Sequence, residues 1–221
     1  MQILGSQRLF QIAVKERPEL LLRSLRRSGA VGRREKLRWG SPLAQDGFKE
    51  YRDISALKCL GIASSLTVPL RDFWPRRGQV WDGLAVAGED RPILVEAKAH
   101  IPETVSGGSH ASPVSLRLIE RSLKRTRKHL APRSTARWNG LFYQYANRLA
   151  FQFFLRELND VASSLVFFYF TNAVDMDGPS TEEEWRGAIR LTHAALGLPA
   201  DLEHFGVYKA FLDARQLTDQ T

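Results

Sequence analysis

The run Leu165-Val-Phe-Phe-Tyr-Phe170 is apolar at every position. A half-exposed strand alternates polar and apolar residues, because successive side chains point to opposite faces. A strand with no polar face must be covered on both sides, so helices are expected to sandwich the sheet that contains it. The run is strand-sized, and no apolar run approaches the roughly 20 residues needed to span a bilayer. The expected protein is therefore not membrane-bound.

The other elements follow from period and punctuation. Residues 7–14 and 18–27 read as helices, the second with Pro18 at its start, and Ser28-Gly-Ala-Val-Gly32 breaks the pattern. Residues 1–40 are thus expected to form a helical extension ahead of a domain spanning 41–221. Asp46 can cap a helix running to Leu60, with Phe48, Tyr51 and Leu57 inward and Gly61 at its end. Strands are expected at 66–70, 80–87, 93–99, 165–170 and 207–212, and helices at 115–130, 138–158 and 182–196. Gly88-Glu-Asp-Arg-Pro92 has turn chemistry, so the strands on either side should form a hairpin. The fold class is α/β, with a central mixed β-sheet flanked by helices. Phe151, Phe153, Phe154, Phe167, Phe168 and Phe170 belong to its core.

The hairpin carries the chemistry. In Ile93-Leu-Val-Glu-Ala-Lys-Ala-His100, Glu96 and Lys98 interrupt an apolar strand two residues apart and so share one face. Asp82, fourteen residues before Glu96, lies within another apolar segment, Val80-Trp-Asp-Gly-Leu-Ala-Val86, which pairing can bring alongside. Burying such charges is costly unless they pair or bind an ion. Two carboxylates at one point make a hard oxygen site suited to Mg²⁺ or Mn²⁺. Without a ligand, the same three charges would form a structural ion cluster at the hairpin edge.

The pattern Asp82…Glu96-Ala-Lys98 resembles the PD-(D/E)XK nucleases, the superfamily of restriction endonucleases and RecB-like exonucleases, although Trp81 stands where the motif's proline would be. The resemblance implies a restriction endonuclease-like core over residues 46–170, metal ligation by Asp82 and Glu96, and assistance to the attacking water by Lys98. It further suggests Glu50 as another metal ligand and Gln144 as a site residue, with Arg148 standing where relatives carry a tyrosine. Arg148 is then a candidate to hold a phosphate oxygen. His100 continues the face of Glu96 and Lys98.

The net charge is +8 and unevenly placed, with eight Arg or Lys against one acid between Arg117 and Arg137, and eleven acids against four bases after Arg156. Arg117, Arg121, Lys124 and Lys128 recur at helical spacing opposite a stripe of Leu116, Ile119, Leu123 and Leu130. Such a face can contact successive phosphates without reading sequence. The single cysteine, Cys59, excludes an internal disulfide and reads as a small core residue. With no signal-peptide pattern at the N-terminus, the expected compartment is the cytoplasm. The combined expectation is a Mg²⁺- or Mn²⁺-dependent nuclease acting on nucleic acid, DNA foremost, for which a homodimer would suit double-strand cutting. The alternatives are a nucleic-acid-binding protein of the same fold without catalysis, and a protein-interaction module whose basic helix faces an acidic partner.

Overall fold

The computed structural model describes residues 5–218. Five strands form the central sheet: β1 (Leu37–Ser41), β4 (Gly83–Ala87), β5 (Arg91–Lys98), β6 (Ser164–Thr171) and β7 (Val207–Asp213), side by side in that order. β4 runs antiparallel to both β1 and β5, whereas β5, β6 and β7 are parallel, so the sheet is mixed. Two short strands, β2 (Tyr51–Arg52) and β3 (Val80–Trp81), pair separately.

Every residue of β6 is buried, as its composition requires. Leu165, Phe167 and Tyr169 pack beneath α3 (Asp53–Cys59), α5 (Pro113–Leu130), α6 (Tyr143–Asn159) and α7 (Glu182–Leu196). Val166, Phe168 and Phe170 pack against α1 (Gly5–Glu16), α2 (Pro18–Arg27) and the short C-terminal α8 (Arg215–Thr218). The helical segment expected ahead of the core thus covers the second face of the sheet through Leu9, Phe10, Leu21 and Leu25. Residues 37–41, within and just beyond that segment, form edge strand β1. The six phenylalanines assigned to the core are all buried. Among the described residues, no helix is long and apolar enough to cross a membrane. The remaining helix, α4 (Leu70–Phe73), is a single turn.

Outside the hairpin, three elements differ from expectation. The helix expected from Asp46 begins at Asp53, because Gly47 and Phe48 both take positive φ, which an α-helix cannot continue through. Phe48 is half-buried outside any helix, and Tyr51 lies in β2. The strand expected at 66–70 is absent: Pro69 lacks an N–H, and the Val68 N–H is taken by Asn159 Oδ1 at 2.7 Å. The helix expected from Trp138 starts at Tyr143, while the Trp138 indole donates to the Leu196 carbonyl. Cys59, last in α3, is half-buried against Gly40, and its thiol pKa is raised by burial and by Asp46.

Candidate active site

The hairpin forms with the turn where expected, Ala87 opposite Arg91. Its first arm, however, is interrupted at Asp82. The segment before Asp82 pairs with β2, and the segment after it pairs with β1 and β5. Gly83 fixes this bend against the core, since a Cβ there would lie 2.5 Å from Phe10 and 3.0 Å from Trp39. The carboxylate of Asp82 is thereby turned onto β5, where Oδ2 accepts the Ala97 N–H at 2.7 Å, between Glu96 and Lys98.

Glu96 and Lys98 lie on the β5 face that also carries Leu94, the face covered by α6. Glu96 is 3% exposed. Its Oε1 accepts from Lys98 Nζ at 2.8 Å, and its Oε2 accepts from Arg148 Nε at 2.6 Å. Gln144 Oε1 accepts a second hydrogen bond from Lys98 Nζ at 3.2 Å. Arg148, 5% exposed, also donates to Asn147 Oδ1 and to the Val80 carbonyl, and its guanidinium lies 4.9 Å from the Trp81 ring centroid. Asp82, Glu96, Lys98, Gln144 and Arg148 therefore meet at one place. Arg148 is the buried partner of Glu96, a role its position in an apolar helix signalled, because a guanidinium there has to be paired.

The two carboxylates behave oppositely. Burial raises the Glu96 pKa, but attraction and hydrogen bonds from Arg148 and Lys98 outweigh it, and the group is held below the usual carboxylate range. Burial raises Asp82, the charge of Glu96 adds to this, and the Ala97 N–H, Lys98 and Arg148 offset only part, leaving its pKa at about 7. Because this folded-state pKa exceeds the unfolded one of about 3.9, the stability Asp82 contributes is complete at acid pH and is lost as pH rises through 7. Asp82→Asn keeps the Ala97 hydrogen bond and removes the charge. It is expected to stabilise the metal-free protein by about 1–3 kcal/mol at pH 8 and by much less at pH 5. Urea unfolding in chelator at both values measures this, and an equal gain at both would contradict it.

Glu50 stands apart from this cluster. The Tyr51–Trp81 pairing brings its stretch of chain beside Asp82, yet Glu50 precedes β2 in a loop, not on the expected helix, and its Oε1 accepts from Gln7 Nε2 at 2.6 Å. His100 Nδ1 is buried without a hydrogen-bond partner, 3.5 Å from Glu103 Oε2. Glu103, which drew no attention in the sequence, accepts the Ala99 N–H and the Ser6 hydroxyl and ties the end of β5 to α1. Among the described residues, no group of three or more His, Cys, Asp or Glu is placed to hold a metal ion. Mg²⁺ itself asks for fewer protein ligands, since it keeps several waters and binds through one or two carboxylates plus substrate phosphate.

On α5, Arg117, Arg121, Lys124 and Lys128 are all exposed, and among the described residues none is in an ion pair. Ile119, Leu123 and Leu130 form the buried stripe with Ser122 and Thr126, while Leu116 is half-buried. If this face carries phosphates, Arg117→Ala/Lys124→Ala lowers the slope of log affinity against log salt by about 1.4–1.8 and leaves the melting temperature unchanged. A titration in which the slope stays fixed would contradict that.

No family model matches this chain, and neither a curated protein nor a solved structure matches it.

Proposed function

We propose that the protein is a divalent-metal-dependent nuclease of the PD-(D/E)XK type. The observation that carries this reading is the convergence of Asp82 with Glu96 and Lys98, with Asp82 Oδ2 held on the amide between the other two. Asp82 is pushed up to about 7 by burial first and by the neighbouring Glu96 carboxylate second, and a cation bound there would relieve both. Asp82 and Glu96 would hold that cation, which polarises the scissile phosphate and acidifies a bound water.

The chain's own groups supply the rest. Lys98 has three donors, two directed to Glu96 and Gln144, and the third is free to orient the attacking water or to meet the charge that builds on the phosphate. Gln144 fixes where that ammonium points. Arg148 keeps Glu96 ionised and oriented. The basic face of α5 supplies sequence-independent hold on the backbone.

A second reading, binding without cutting, has one observation in its favour: both Glu96 oxygens already accept from Lys98 and Arg148. The two separate in a cleavage assay on single-stranded and duplex DNA and RNA with Mg²⁺ or Mn²⁺. Cleavage that requires the cation and stops with chelator supports the nuclease. Binding without turnover under all conditions supports the silent fold.

A further inference from the structure

A cleft of about 790 Å³ lies against the site, between residues 74–80 and the loop at residues 106–112. Its wall includes Gln144 and Arg148, the residues that hydrogen-bond Lys98 and Glu96, so it lies one side chain away from the candidate chemistry. Three arginines, Arg76, Arg77 and Arg148, and His110 line it, and none of its lining residues is acidic. Arg76 and Arg77 are exposed, and among the described residues neither is in an ion pair. The turn that presents them is anchored by Asp53, whose carboxylate accepts the Arg77 and Gly78 N–H groups at 2.8 Å each. Tyr143 offers a half-buried ring at the start of α6, and buried Gln79 and Asn147 add amide groups to the wall.

This chemistry suits a polyanion that carries flat rings: the exposed Arg76 and Arg77 for phosphates and the Tyr143 ring for a base. The size decides which form. The volume is that of a small-molecule site, room for roughly two nucleotides, and a paired duplex does not enter a space of that class. We propose that this cleft receives a single-stranded nucleic-acid segment and leads its phosphate to Lys98, while the exposed α5 face holds the flanking backbone. The inference deepens the nuclease reading and rests on it for the reaction, but the binding it asserts needs no turnover.

The test is fluorescence anisotropy in chelator, with a labelled 12-nucleotide strand and a blunt duplex of the same sequence. Wild type is expected to bind the single strand at least ten-fold more tightly than the duplex. Arg76→Glu/Arg77→Glu is expected to remove that preference by weakening single-strand binding ten-fold or more, with residual duplex binding unchanged. Tyr143→Leu should weaken single-strand binding by about ten-fold through lost stacking. Circular dichroism melts confirm folding, and Arg76→Gln/Arg77→Gln, with a smaller loss, serves if the charge reversal unfolds the turn. Equal or tighter duplex binding by wild type, or arginine variants that bind both forms like wild type or lose both alike, would overturn the cleft assignment. That outcome leaves the nuclease reading standing if cation-dependent cleavage is seen. Strand preference without cleavage would instead sink the nuclease reading and keep the cleft.

Discussion

Lys98→Ala is expected to lower cation-dependent cleavage by about 10²–10⁴-fold, the span covered by loss of one positioned proton-transfer group or one transition-state donor. The side chain is pre-set by its two hydrogen bonds, to Glu96 at 2.8 Å and to Gln144 at 3.2 Å, so its remaining donor is fixed without further ordering. Arg148 still pairs with Glu96 in the variant, and the fold is expected to survive. Single-turnover cleavage at saturating substrate reads the chemical step directly. The loss should fall on that step and leave single-strand affinity in chelator within a few-fold. Equal residual activity in wild type and variant would mean that the activity belongs to a contaminant.

Glu96→Gln is expected to cost about 3–5 kcal/mol of folding stability, the range for removing one partner of a buried ion pair. Glu96 joins Lys98 and Arg148 in the interior, and the amide that replaces it presents N–H groups to side chains that can only donate. Lys98 and Arg148 would then keep Asp82 as the neighbouring carboxylate, with neutral acceptors at Gln144, Asn147 and Val80. For a chain of this size the loss corresponds to a fall in melting temperature on the order of 10 °C. Arg148→Met in the same chain removes one stranded charge, so the double variant should be less destabilised than the sum of the singles. Thermal and urea unfolding of the four proteins gives the coupling. A single variant as stable as wild type would show that the cluster does not hold the fold together at this point.

The sequence made some of this legible and concealed the rest for definable reasons. The burial of β6 and the alternation around Glu96 and Lys98 are local patterns, and the structure follows them. The break at Asp82 is not local: Val-Trp-Asp-Gly-Leu-Ala-Val reads as continuous strand, and the change of pairing partner from β2 to β5, with Gly83 packed on Phe10, bends it. Edge strand β1 is not legible, because Leu37-Arg-Trp-Gly-Ser41 follows a basic run and contains a glycine, a weak strand signal. The capping potential of Asp46 puts Glu50 on a helix, and positive φ at Gly47 and Phe48 overrides it. The sequence makes Arg148 a candidate to hold a phosphate oxygen; its neighbours on α6, Ala146, Leu149 and Ala150, are all fully buried. An arginine in that setting faces an internal partner, and Glu96 is the partner it finds.

The central claim is that Asp82 and Glu96 together hold one divalent cation. Calorimetric titration of Mn²⁺ into the chelator-stripped wild type and into Asp82→Asn addresses it most directly. The account predicts one bound ion in the wild type and at least a ten-fold loss of affinity in the variant, which remains folded. Heat of binding that is absent from the wild type, or the same in both proteins, would contradict it.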